Sequence, residues 1–409
     1  MGGWGRPPQR EILSSSSEDR FKDPQQSRRG DISLIRFLHT GDWQLGMTRH
    51  FLSEGVQERY TQSRFDAIRK LGRVAKEEGC QFMVVCGDVF ESNQVDRKTV
   101  SRALEALNEV AVAVYLLPGN HDPLNAASVY RSSTFLERRP AHVHVIENAN
   151  PIKVGESLEI VGAPWTSKRP LQDLVSVAIE PLETVVGLTR VCVGHGVVDS
   201  LSPNPDAPDV ISVARVEEAL SQGRIHYLAL GDRHSVTQVG SSGRIGYAGT
   251  PEPTDYDEVK PGFALVVEIN GGEITTREVQ IGEWRFIERD RIDINTIEEL
   301  EALRGWIERL ENKERTIVKL RLVGSPSLSL HGELNRLITH AQELLAALET
   351  RTIDLVMIPE DADFTELGFS GFASGTVERR RAKLEEAGEE SISALGALAL
   401  LLRLARRAE

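Results

Sequence analysis

Residues 82–122 read FMVVCGDVFESNQVDRKTVSRALEALNEVAVAVYLLPGNHD. They open on an apolar run of strand length, Phe82 to Cys86, which ends at Gly87-Asp88. A helix-period segment near Arg97 to Glu109 follows, and then a second apolar run, Val112 to Leu117, which ends at Gly119-Asn120-His121-Asp122. Strand, helix, strand is a βαβ unit, and such units place their ligand chemistry at the carboxyl ends of the strands. Toward the N-terminus the pattern gains a strand at Leu34 to Leu38, a polar turn at Asp42-Trp43-Gln44 and a helix near Glu58 to Glu78. The whole segment therefore predicts a layered α/β domain.

After Val143 the pattern changes to short strands joined by turns: Ile152 to Val154, Leu158 to Val161, Val191 to Val193, Tyr227 to Leu230, Ile245 to Tyr247 and Phe263 to Ile269. A second sheet packed on the first is the natural reading, an αββα sandwich. Past Ile281 to Trp284 a strand (Thr316 to Leu322), a helix (Leu330 to Leu348) and a strand (Ile353 to Ile358) predict a separate α+β module. The end carries a charged helix, Glu378 to Glu386, and an apolar stripe of Ile392, Leu395, Leu398 and Leu402. The first residues, with Pro7-Pro8 and the run Ser14 to Ser17, read as a disordered tail. The expected divisions are 1–32, 33–282, 283–366 and 367–409.

The 409 residues carry a formal net charge of −13, which excludes a protein held on nucleic acid by net charge alone. No apolar stretch reaches membrane-spanning length and no secretory signal is present, so the expectation is a cytoplasmic protein with no membrane association. Cys80, Cys86 and Cys192 sit in apolar runs and read as reduced core thiols. There is no GxxxxGK phosphate loop.

Five clusters follow strand-like runs: Asp42-Trp43-Gln44, Gly87-Asp88, Gly119-Asn120-His121-Asp122, Gly194-His195-Gly196 and Gly231-Asp232-Arg233-His234. One such cluster alone is more often loop chemistry. Five at strand ends suit a pair of divalent ions bridged by a carboxylate, an arrangement used for phosphoester hydrolysis. Side chains two residues apart, as in Asp42/Gln44 and Asp232/His234, lie on one face of an extended backbone and can share a site.

In their order these clusters resemble the calcineurin-like metallophosphoesterases, whose pattern is DxH, GD, GNHD/E, GH and GHxH. The context His39 to Gly46, with Cys86 to Phe90 and Gly119 to Asp122, is similar to SbcD-type DNA-repair exonuclease subunits. The resemblance implies that Asp88 bridges two metals, the first also taking Asp42, Gln44 and His234, the second Asn120, His195 and Asp232. It makes His121 a non-ligand catalytic histidine. Asp122 beside it is either an orienting partner for that imidazole or a turn residue before Pro123. The implied activity is cleavage of DNA by a two-metal-activated hydroxide, in a homodimer; the apolar stripe within residues 369–409 packs either on the chain's own third module or, as the resemblance implies, on an SbcC-like ATPase. The other readings are a small-molecule or cyclic-nucleotide phosphodiesterase or phosphatase, and a scaffold that has lost catalysis.

Two positions depart from the family pattern: Gln44 replaces a histidine and Asp232 replaces another. A more anionic, harder site favours Mn²⁺, with Mg²⁺ the alternative, over Zn²⁺.

Overall fold

The computed structural model describes residues 1–5, 34–357 and 375, 378 and 379. The expected N-terminal tail beyond residue 5 and the C-terminal helices lie outside the described residues.

The first sheet is built from β1 (Ile35–Thr40), β2 (Phe82–Cys86), β3 (Ala113–Leu117) and β4 (Val143–Val145), separated by α1 (Glu54–Glu77), α2 (Arg97–Asn108) and α3 (Ser133–Arg138). The second takes β5 (Ile152–Lys153), β6 (Leu158–Gly162), β7 (Thr189–His195), β8 (Tyr227–Gly231), β9 (Thr237–Val239) and β10 (Ile245–Tyr247), with α4 (Leu174–Ile179) and α5 (Val213–Ser221) between its strands. The chain then returns to the first sheet as β11 (Phe263–Asn270) and β12 (Glu273–Gln280). The resulting orders are β12-β11-β1-β2-β3-β4 and β5-β6-β7-β8-β10-β9.

Side-chain alternation explains the layering. Ile35, Phe37, Phe82, Val84, Cys86, Tyr115 and Leu117 point from the first sheet onto Ile160, Val191, Val193, Tyr227 and Ala229 of the second. The intervening Leu38, Met83, Val85, Val114 and Leu116 pack against α1 and α2. A strand apolar at every position is thus buried on both faces. Parallel register aligns Phe37 with Phe82, whose rings stack at 4.9 Å. Val161, Cys192, Leu228 and Leu230 form the outer core beneath α4 and α5. The three cysteines are free and buried.

A third sheet of parallel strands, β13 (Arg285–Asp293), β14 (Thr316–Gly324) and β15 (Ala347–Leu355), carries α6 (Ile297–Glu308) and α7 (Leu328–Leu344) on one face. Thr296 and Glu299 form a capping box that starts α6, and Ser327 caps α7. On the opposite face Ile317 joins Trp284 and Ala346 against Leu52, Val56 and Tyr60. Trp284 and Phe286 are therefore packing aromatics here: Trp284 stands edge-on to Tyr60 at 5.1 Å and donates from Nε1 to Ser63 Oγ at 2.7 Å.

The helix expected at Leu330 to Leu348 ends at Leu344, and Ala347 and Leu348 belong to β15. The run Leu344 to Leu348 satisfies both periods, and pairing of Ala347 with Ile317 decides for strand. Of the strand expected at Ile353 to Ile358, Ile353 to Leu355 form the end of this longer one, whose polar middle, Glu349 to Thr352, hides it, and Ile358 lies outside the described residues. β12 and β13 escape an apolar-run reading because most of their side chains are exposed, although Asn270-Gly271-Gly272 before β12 is a hairpin signal. Among the described residues no helix is long and apolar enough to cross a membrane.

Glu252 sits buried where the first sheet meets the third, accepting N–H groups of Glu283 and Trp284 at 3.2 Å. Burial pushes its carboxyl up to about 7, against the pull of Trp284 N–H and Arg64. The folded state therefore holds a proton that the unfolded chain gives up near 4.5, and stability falls as pH rises from there through about 7. Glu252→Gln, neutral throughout, is expected to raise Tm by roughly 2–6 °C at pH 8 and to change it little at pH 4.5. Equal shifts at both pH values, read by thermal denaturation, would contradict this account.

Candidate metal centre

The carboxyl ends of β1, β2 and β3 and those of β7 and β8 meet at one edge of the sandwich. Among the described residues, five other than glycine have φ between +44° and +95°, and four of them are Asp42, Gln44, Asp88 and Asp232. Such a backbone is strained for residues with a Cβ, and it persists only where the surroundings enforce it. Here the turns hold one another: Asp42 N–H donates to Gly87 O at 3.0 Å, and Gln44 N–H to Asp88 O at 2.8 Å. Asp232 N–H, from the other sheet, donates to the Asp42 carboxylate at 3.0 and 3.1 Å. The sheets come so close that a Cβ on Gly87 would lie 2.1 Å from His195 Nδ1, and one on Gly231 would lie 1.9 Å from Cys86 O. Glycine at these two positions is a condition for the site to close.

Asp42, Asp88 and His195, all buried, place ligand atoms within 4.8 Å of one another. His195 Nδ1 lies 2.8 Å from the Cys86 carbonyl, so it carries the hydrogen and leaves Nε2 facing inward. Nε2 stands 3.5 Å from Asp88 Oδ1 and 3.7 Å from Asp232 Oδ1. Asn120 Oδ1 lies 2.7 Å from His195 Nε2 and 3.0 and 3.2 Å from the Asp88 oxygens. A carbonyl oxygen set against a carboxylate is repelled unless a cation lies among these atoms or the amide turns to donate. Gln44 Oε1 is buried with no partner, while its Nε2 stands 3.1 Å from His234 Nε2. A converging set of oxygens and imidazole nitrogens with an orphaned buried oxygen fits a divalent cation.

Electrostatics point the same way. Burial raises the Asp42 carboxyl to about 7, although His234 and His195 oppose it, and burial raises Asp232 as well. For His195 burial opposes the charge, but Asp88, Asp232 and Asp42 together carry it up to about 9. The cluster binds protons where it lacks a cation, so metal binding releases protons and tightens as pH rises.

His121 lies at the mouth, its ring 38% exposed, with its backbone N–H on Asp88 Oδ1 at 2.9 Å. Its Nδ1 stands 2.9 Å from the Glu91 carbonyl. Asp122 does not orient this ring. Its Oδ1 accepts Gly119 N–H at 2.8 Å, and its Oδ2 accepts Phe90 N–H at 3.0 Å and the Tyr130 hydroxyl at 2.6 Å. These bonds tie the buried carboxyl to its own Gly119–Asp122 turn, to the Asp88 loop and to Tyr130, which favours the turn reading of Asp122 over the orienting one.

Other residues near the clusters are also spent locally. Thr250 Oγ1 lies 2.8 Å from the Asp42 carbonyl and buttresses that turn. Arg49 turns to Thr254 O and to Asp255, and Arg233 Nε donates to Thr237 Oγ1 at 2.7 Å. The residue missed by motif reading is Glu258, whose Oε1 is 2.7 Å from His234 Nδ1. It lies in the segment after Pro253, outside every motif.

Because Gln44 offers only a neutral amide oxygen, Gln44→His is expected to tighten ion binding at one site, on the order of tenfold. Calorimetry on EDTA-stripped protein checks this. Unchanged affinity would place side chain 44 away from the metal.

A family model for calcineurin-like phosphoesterases matches residues 35–237. Over 310 residues the chain is 24% identical to the uncharacterized metallophosphoesterase YhaO of Bacillus subtilis strain 168, with 72% of this chain and 70% of that protein covered. Among solved structures it is similar to TT1561 of Thermus thermophilus, at 10% identity and a TM-score of 0.39, over 61% of this chain and all of that one. It is also similar to a dimetal phosphatase from Danio rerio, at 11% identity and a TM-score of 0.36, over 60% of this chain and 99% of that one. The matched span contains all five strand-end turns. Over residues 35–237, and so over every one of these turns, the chain is similar to the calcineurin-like phosphoesterases.

Proposed function

We propose that the chain is a metal-dependent phosphodiesterase that cuts DNA, a nuclease subunit of SbcD type, with two divalent ions, Mn²⁺ first among them. The observation that carries the phosphoesterase chemistry is the convergence of Asp42, Asp88, Asn120, His195, Asp232 and His234 from both sheets, with Asp88 central. Asp42, Gln44, Asp88 and His234 would hold one ion, and Asp88, Asn120, His195 and Asp232 the other. When bound, the ions supply an activated water and neutralise charge on the phosphate oxygens.

The protein's own part is positional. Asp42, Asp88 and His195 form a buried floor, and Asn120, His121, Asp232 and His234 rim it at the surface. A phosphodiester approaches from that rim, where His121 stands ready to hold a proton for the departing sugar oxygen. An open rim suits a polymer, and the resemblance of His39 to Gly46 and Cys86 to Phe90 to SbcD-type subunits favours DNA. Residues 369–409 are then the segment for an SbcC-like ATPase, in a homodimer.

Parallel assays of purified protein with Mn²⁺ on labelled DNA and on a small phosphodiester test the reading. Metal-dependent DNA cleavage that EDTA abolishes is expected. Hydrolysis of the small ester alone would assign a small-molecule phosphodiesterase, and no hydrolysis of either would favour the scaffold.

A further inference from the structure

We propose that Glu258 is a positioning residue for the metal ligand His234, held in place by a loop that the third sheet braces. The inference rests on the metal centre proposed above and assigns a role to a residue outside its motifs.

The geometry is specific. Glu258 Oε1 lies 2.7 Å from His234 Nδ1, and its side chain is only 5% exposed although the residues on either side, Asp257 and Val259, are exposed. Its Oε2 accepts Thr254 N–H at 2.8 Å, and the Thr254 hydroxyl lies 2.8 Å from the same His234 nitrogen. The carboxylate thus fixes the hydrogen on Nδ1, which turns the Nε2 lone pair toward Gln44 and the interior. An imidazole that donates its far N–H to a carboxylate is a better donor at its near nitrogen and is locked in ring orientation.

The loop carrying Glu258 is fastened on both sides. Toward the catalytic domain, Tyr60 Oη donates to Pro253 O at 2.6 Å, and Val259 N–H donates to Ser235 Oγ at 2.9 Å. Toward the third sheet, Tyr256 donates from its hydroxyl to Glu349 at 2.9 Å, stands edge-on to Phe286 at 5.2 Å and lies under Lys319 Nζ at 5.2 Å. Only Asp257 stands between Tyr256 and Glu258 in the chain, so a shift of the third sheet against the sandwich reaches the His234 hydrogen bond through a short, tethered segment.

The test uses full-length, EDTA-stripped protein and Mn²⁺ in calorimetry, with Glu258→Ala and Glu258→Gln beside wild type. Glu258→Ala is expected to weaken one of two ions by roughly 10–100-fold and leave the other unchanged. Glu258→Gln keeps an acceptor without the charge and is expected to fall between, at least about threefold weaker than wild type. Imidazole ¹⁵N spectra of the metal-free protein at alkaline pH should show His234 as the Nδ1–H tautomer in wild type and as a mixture in Glu258→Ala. Wild-type affinity in the variants, or an unchanged His234 tautomer, overturns the role. Should Glu258→Ala fail to fold, Glu258→Gln decides alone by the same affinity criterion. A wild-type protein that binds no divalent ion would overturn the metal centre and this role together, whereas normal binding in wild type and variants alike removes this role only.

Discussion

Asp88→Asn is expected to lower kcat/KM by at least about 10³-fold, close to 4 kcal/mol of transition-state stabilisation, and to empty the ion site that the two half-sites share. Asp88 is the residue that the two proposed ligand sets share. Its Oδ1 accepts His121 N–H at 2.9 Å and stands 3.5 Å from His195 Nε2, and the Asn120 amide faces both of its oxygens. Asparagine keeps the volume and tolerates φ of 52° at this position, so the backbone turn survives. What disappears is the charge. In the metal-free variant the relief of repulsion between Asp88 and Asp42 is set against the lost attraction of Asp88 for a protonated His195, so the melting temperature should stay within a few degrees of wild type. Full metal occupancy by elemental analysis, with activity retained, would displace Asp88 from the centre of the site.

His121→Ala is expected to separate binding from turnover. The variant should take up ions as wild type does and lose roughly 10²–10⁴-fold in kcat, the usual contribution of a positioned proton donor. The ring's Nδ1 is engaged by the Glu91 carbonyl, which leaves Nε2 directed away from that contact, and the side chain sits at the exposed rim and not on the floor. Asp88 and His195 need nothing from the ring, since His121 reaches Asp88 through its backbone N–H, which alanine retains. A marked loss of bound metal in calorimetry would reassign His121 as a ligand.

The parts legible in the sequence are those where local pattern and tertiary requirement coincide. Phe82 to Cys86 is apolar at every position because β2 is buried on both faces, and Gly87-Asp88 follows because the turn needs both a backbone without Cβ and a carboxylate. Tyr227 to Gly231 is legible for the same reason. Illegible were groups whose meaning depends on a distant partner. Glu258 looks like one acid in a solvated Pro/Asp stretch until folding sets it on His234. Asp122 looks like a partner of its neighbour His121, yet its bonds go to Gly119, Phe90 and Tyr130. β13 is half polar because only one of its faces meets α6 and α7, and β15 shares its first apolar residues with the end of a helix-period run.

The position of β1 between β2 and β11 bears on how the protein is made. β1 is the first strand of the described chain, yet one of its edges pairs with Phe263–Asn270, in the register Ile35 with Ile269 and His39 with Leu265. During synthesis that edge stays open until the whole second sheet has left the ribosome, since domains fold as units and long-range pairing is slow. His195, Asp232 and His234 are made in the same interval, so Asp42 and Asp88 precede by more than a hundred residues the imidazoles proposed to share a cation with them. An ion that needs ligands from both sheets is therefore bound only once both sheets have formed. An unpaired β1 edge on the nascent chain is, over the same interval, the surface that a chaperone has most reason to cover.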